Sequence, residues 1–257
     1  MFAPVTAALI AEARIGGGQS VLDIATGPGE PALSIAPLVG TGGKVCGIDP
    51  IPEMVAGARR EAERLEIRNV QFEVAFADQL PFADGMFDAV VCRFGAMFFP
   101  SPVDGVREIL RVMKPGGRLV FAVWHFAAKN PFHSALARVI DRYIDPVVVE
   151  PDAPDTFRFA ARGKLAEVLK QAGVTAVSER LLQFAIDAPL PVEEFWTLRL
   201  EMSKIRERIG VLSEDRLAEL KREVLESIGE YATDRGVSLP AEVLIVSGVK
   251  ASADSRK

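Results

Sequence analysis

Between Val21 and Trp124 the chain alternates short apolar runs with amphipathic stretches of helical period. The runs SVLDIA, GKVCGID, NVQFEVA, MFDAVVCRF and GGRLVFAVW carry few charges, as strands do when helices cover both faces of their sheet. Between them EPALSIAPLV, PEMVAGARREAERLE and DGVREILRVM repeat apolar residues at helical spacing. Strand–helix units in series build a parallel, doubly wound sheet. The expected fold is therefore α/β and Rossmann-like, with helices on both faces.

The second half follows another rhythm. KLAEVLKQAG predicts a short helix and VTAVSERLLQFAI a strand. PVEEFWTLRLEMSKIRERIG and SEDRLAELKREVLESIGEYATDRG predict two long charged helices, and EVLIVSGVK a final strand. The expected sheet has seven strands, the last antiparallel and preceded by a helical insertion. Residues 1–186 form the core with its N-terminal helix, 187–240 a helical lid, 241–250 the final core strand and 251–257 a flexible tail. No element is predicted between Trp124 and Lys164.

Charge and composition narrow the partners. The net charge is −5 and no Lys/Arg-rich run occurs, which argues against nucleic acid as a partner. Cys46 and Cys92 lie in apolar runs and read as reduced, buried thiols; with two lone histidines they offer no metal-ligand spacing. No stretch approaches the ~20 apolar residues that span a bilayer. MFAPVTAALIAEARIGGG carries Glu12 and no basic leader, so it reads as a helix rather than a signal, and the expected location is the cytoplasm.

The loop VLDIATGPGEPAL holds the first chemical clue. An apolar strand ends near an acid, a glycine turn follows, and a helix starts; Gly27-x-Gly29-x-x-Ala32 also fits a dinucleotide fingerprint. A pyrophosphate sits on free N–H groups at a helix N-terminus. Pro28 and Pro31 have none to give, and Glu30 adds a negative charge where the phosphate would dock. These features are harmless to a phosphate-free cofactor such as S-adenosylmethionine. Asp49 ends the second strand, where an acid hydrogen-bonds ribose hydroxyls in either case.

Taken in order, VLDIATGPGEPAL, VCGIDPIPEMVAGAR, FADQLPFADGMFDAVVCRFGAMFF and REILRVMKPGGRLVFAVW resemble the class I methyltransferases that use S-adenosylmethionine. The nearest subgroup is the one related to ubiquinone/menaquinone C-methyltransferases. The resemblance implies S-adenosylmethionine as cofactor and a small-molecule methyl acceptor. It implies that Asp23 is the motif's acid and that Gly27 and Gly29 let the backbone approach the cofactor. It gives Asp49 the ribose, Ile51 or Met54 the adenine face, and Asp78 with the Gln79 backbone the adenine edge. Arg93 and Phe94 flank the methionine portion. Ala25 stands where the family has the first motif glycine. Little chain precedes the first helix, and the site is expected to be more open than in those relatives.

Methyl transfer is an in-line displacement on an activated carbon, so positioning outweighs acid–base chemistry. RFGAMFFP lacks the Asn/Asp-Pro-Pro-Tyr pattern of relatives that methylate amide or adenine nitrogen. It offers Phe94, Phe98 and Phe99 instead, with Phe126 and Phe132 further on. His125, at the end of the fifth strand, is the candidate base, and Phe98, Tyr143, Trp196 and Arg199 are candidate pocket residues. Each has a plain alternative as core or surface. The expected activity is methylation of a small, hydrophobic or aromatic acceptor at carbon, oxygen or nitrogen. The alternatives are a non-catalytic cofactor-binding module and an NAD(P)-dependent oxidoreductase; a homodimer is left open.

Overall fold

The computed structural model describes residues 1–146, 150, 152–201 and 205–252. Residues 202–204 of the expected first lid helix and 253–257 of the expected tail lie outside them.

The strand–helix alternation appears as expected. β1 (Ser20–Ile24), β2 (Lys44–Asp49), β3 (Val70–Val74), β4 (Phe87–Arg93) and β5 (Met113–Trp124) are parallel neighbours in the order β3-β2-β1-β4-β5. α1 (Ala3–Ala13) precedes them, and α2 (Ala32–Val39), α3 (Pro52–Arg64) and α4 (Pro102–Val112) connect them. The central strands are buried on both faces, from Val21 to Ile24, Ala89 to Cys92 and Leu119 to Trp124. That is why they read as unbroken apolar runs. α4 turns Val106, Ile109 and Val112 inward and its charges outward.

The order continues β5-β8-β6, with β8 (Gly236–Lys250) antiparallel to β5 from Arg118↔Val249 to Trp124↔Val243. β6 is Val174–Ala188 and follows α6 (Lys164–Ala172), which ends on Gly173 at φ +99°. A two-residue strand β7 (Ala232–Thr233) pairs with the start of β8 and makes the sheet eight-stranded.

Three elements depart from the sequence pattern. α5 (Pro131–Ile140) occupies a stretch where none is predicted. The second lid helix does not reach Gly236: α9 (Glu214–Gly229) stops earlier, and Ala232–Val237 forms a tight hairpin closed by Thr233 Oγ1, which donates to Gly236 C=O at 3.0 Å. The last strand consequently starts at Gly236 rather than Glu242. The remaining helices there are α7 (Val192–Glu201) and α8 (Ile205–Ile209).

The chain divides into two compact units. Of the described residues, those within 3–125, 152–182 and 243–252 form the larger, and those within 1–2, 126–150 and 183–242 the smaller. In the smaller unit α5 packs on α9 and α7 on α9, burying Phe132, Leu136 and Val139 with Phe195, Leu220, Val224 and Ile228. Among the described residues no helix is long and apolar enough to cross a membrane.

Candidate active site

The carboxyl ends of β1, β2 and β4 and the loop after β3 surround a cavity of about 350 Å³ in the larger unit. This is the edge at which open α/β sheets bind ligands. Its walls are apolar, with Ile51, Phe76, Phe94, Phe98 and Phe99 prominent. Among the described residues two carboxylates, Asp49 and Asp78, are the only charged groups on it, and no lysine, arginine or histidine lines it.

The glycine loop is held from beneath. Asp23 is fully buried; its Oδ2 accepts the Thr26 hydroxyl at 2.6 Å and the Ala32 N–H at 3.0 Å. Ala32 opens α2, so the first amide of that helix, which a phosphate would otherwise bind, is taken by a carboxylate of the chain itself. The other Asp23 oxygen, Oδ1, has no hydrogen-bond partner. Burial pushes the carboxyl up to about 7, against the lowering effects of the Thr26 bond and the Arg93 charge. Gly29 sits at φ +117°, and a Cβ there would stand 2.5 Å from the Leu33 side chain, so only glycine closes this turn onto the helix.

Asp49 joins the loop to the cavity. Its Oδ2 accepts the Gly27 N–H at 2.9 Å and its Oδ1 the Ile51 N–H at 3.0 Å. Each carboxylate oxygen keeps a lone pair for a hydroxyl partner. After β3, Gln79 N–H donates to Phe76 C=O at 3.1 Å and closes a turn whose central residues are Ala77 and Asp78. After β4, Phe94 sits at φ +62°, donates its N–H to Ala122 C=O, and stacks on Trp124 with centroids 4.3 Å apart and planes 3° apart. Arg93 turns to the protein: it donates to Thr6 Oγ1 at 2.6 Å and Glu30 C=O at 3.2 Å.

Ala25, Asp49, Ile51, Asp78 and Phe94, which the resemblance assigns to the cofactor, and Phe98, a candidate acceptor-pocket residue, line one cavity. Asp23, Gly27, Gly29, Gln79 and Arg93 support its rim without lining it, and Met54 lies exposed on α3. His125 follows β5, half-buried, and is not a lining residue. Tyr143, Trp196 and Arg199 belong to the smaller unit. There Arg199 is buried with its guanidinium 3.8 Å from the Phe132 ring centre, and Arg216 lies 4.4 Å from that of Tyr143. Burial pushes His133 of the same unit down to about 3, which keeps it neutral. The motifs left Pro50, Phe76 and Ala77 unnamed; the signal for Phe76 was a large aromatic placed directly after a strand.

A doubly wound sheet with an antiparallel last strand and a phosphate-poor glycine loop defines a class, and comparison with known proteins places residues 22–121 in it. Residues 22–121 match the family model of the methyltransferase domain, so this stretch is a methyltransferase domain. A demethylmenaquinone methyltransferase of Chlorobaculum parvum is 32% identical over 163 residues, 60% of this chain and 64% of that protein. The uncharacterized methyltransferase YcgJ of Bacillus subtilis is 36% identical over 126 residues, 49% of this chain and 48% of that one. The chain thus spans about half to under two thirds of the length of these relatives. The YcgJ crystal structure superposes with a TM-score of 0.63 at 21% identity, covering 96% of this chain and 98% of that one. The [4+2]-cyclase SpnF shares the fold at a TM-score of 0.59 and 23% identity, covering 97% of this chain and 82% of that one. Architecture alone therefore does not fix the reaction.

Proposed function

We propose that the protein is an S-adenosylmethionine-dependent methyltransferase acting on a small, hydrophobic or aromatic acceptor. The observation that carries this reading is the polarity of the cavity. It pairs two carboxylates with apolar walls and, among the described residues, no cation, beside a helix whose first amide is already taken by Asp23. Those acceptors suit the hydroxyls and amino group of a nucleoside bearing a cationic sulfonium and repel a pyrophosphate, which disfavours the NAD(P) alternative. Bound there, the cofactor supplies an electrophilic methyl group.

In this reading Asp49 holds the ribose hydroxyls, Asp78 meets the adenine amino group, and Ile51 covers an adenine face. Phe94 and Phe98 exclude water around the methyl group. The names of the quinone-methylating relatives favour a quinol-like acceptor, with carbon, oxygen and nitrogen transfer all open. His125 is the base assigned to an acceptor that must lose a proton, and Tyr143, Trp196 and Arg199 are assigned to acceptor recognition. The net charge of −5 favours a small molecule over nucleic acid, and the cytoplasm is the proposed location.

The test is calorimetric titration with S-adenosylhomocysteine and, in parallel, NADH. Micromolar binding of the first alone is expected, followed by turnover of a phenol or quinol. Binding of NADH alone overturns the reading. Binding without turnover of any acceptor returns the non-catalytic module.

A further inference from the structure

The loop joining β3 to β4 has two differently employed halves. Phe76, Ala77 and Asp78 line the cavity. A few residues on, the loop is fastened to α4 by Arg111 and Glu108. Arg111 Nε donates to Glu108 Oε2 at 2.9 Å. One terminal nitrogen reaches Glu108 Oε1 at 2.7 Å and Leu80 C=O at 3.1 Å. The other reaches Asp84 Oδ1 at 2.7 Å and Phe82 C=O at 2.8 Å. All five guanidinium N–H groups are thereby used. Glu108 Oε1 also accepts the Leu80 N–H at 3.0 Å. Leu80 is buried, and Phe82 meets Phe87 edge-on with centroids 5.1 Å apart.

An ordinary helical pair three residues apart contributes little and touches nothing beyond its own helix. This pair reads out, through one backbone N–H and two carbonyls, the path of a loop about 30 residues earlier in the chain. Leu80 is two residues from Asp78, and the Phe76–Gln79 turn leaves little slack between them.

We propose that Arg111 and Glu108 are positioning residues for cofactor recognition: by clamping residues 80–84 to α4 they set where Asp78 stands in the cavity. The inference rests on the reading that the cavity takes an adenosyl compound whose amino group meets Asp78. Lysine cannot replace Arg111, since a single ammonium does not span Glu108, Asp84 and two carbonyls at once.

The experiment uses the full chain with Arg111→Lys and Glu108→Gln. Its probes are S-adenosylhomocysteine and S-inosylhomocysteine, in which an oxo group replaces the amino group. Wild-type protein is expected to prefer the adenine compound. In both variants amide exchange at Gln79, Leu80 and Phe82 quickens, affinity for S-adenosylhomocysteine falls about tenfold, and most of the adenine preference disappears. Combining Asp78→Asn with Arg111→Lys is expected to cost no more than Asp78→Asn alone. Variants that keep the wild-type preference, or losses that simply add, overturn the inference while leaving the cofactor reading in place. Wild-type protein that binds neither compound overturns the cofactor reading itself, and the inference with it.

Discussion

The methyl group of Ala25 fills the space that a side chain at position 95 would need, and Gly95 has none. Cys92 Sγ crowds the same space, 2.9 Å from where a Cβ would stand. Ala25 itself sits at φ +57°, a left-handed conformation that costs a residue with a Cβ about 1 kcal/mol. The two positions should therefore be coupled. Gly95→Ala is expected to cost about 2 kcal/mol by overpacking, and Ala25→Gly to be neutral or stabilising by a few tenths. The double variant should recover part of the Gly95→Ala loss. Urea unfolding midpoints test this, and strictly additive effects would show that the two residues do not compete for one space.

Asp49 anchors two backbone amides as well as facing the cavity, so its removal strikes the site twice. Asp49→Ala leaves the Gly27 and Ile51 N–H groups without their acceptor and takes away the proposed ribose contact. Affinity for S-adenosylhomocysteine should fall about 10- to 100-fold, as for losing one charged hydrogen-bonded group. Calorimetry reads this directly. An unchanged dissociation constant would mean that the ribose is held elsewhere.

Asp23 makes stability depend on pH in an unusual direction. Burial raises its carboxyl to about 7, so between about pH 4 and 7 the folded chain binds a proton that the unfolded chain has released. Stability contributed by this group falls as pH rises through that window, at up to about 1.4 kcal/mol per pH unit. The carboxylates held low by neighbours, such as Asp88, Glu108 and Asp152, act with the opposite sign and only below about pH 5. Asp23→Asn should flatten the slope between pH 5 and 7, whatever its effect on absolute stability. Parallel slopes in the two proteins would place the Asp23 carboxyl in its ordinary range.

The sequence made the sheet and the site legible to different depths. β1 to β5 and their helices show plainly, because burial on both faces leaves an apolar run that local pattern cannot disguise. The turn of the glycine loop is equally plain, since it depends on near neighbours in the chain, whereas the bond from Gly27 N–H to Asp49, 22 residues on, depends on the pairing of β1 with β2. EYATDRG looked helical because its residues tolerate a helix. Gly236 at φ +121°, pressed against the backbone of Ala188 and Leu190, makes it a hairpin instead, and that contact is not local. α5 was readable in principle, from Pro131 at its first turn and Phe132, Leu136 and Val139 on one face. Glu108 and Arg111 are visible in sequence only as a helical pair; their grip on Leu80 and Phe82 depends on the tertiary fold.

Phe94 offers a test by sign rather than by size. Its φ of +62° lies where side chains are strained, its ring stacks on Trp124, and the residue lines the cavity. Phe94→Ala loses the stack, worth about 0.5–1.5 kcal/mol beyond the area it buries, and keeps the strain. Phe94→Gly loses the same stack and releases the strain, which is worth about 1 kcal/mol. Glycine is usually the weaker residue by about 0.5–1 kcal/mol; here it should be the stronger of the two variants. Both should bind S-adenosylhomocysteine less tightly, having lost one wall of the cavity. Urea midpoints that rank alanine above glycine would mean that the backbone at Phe94 does not need its left-handed turn.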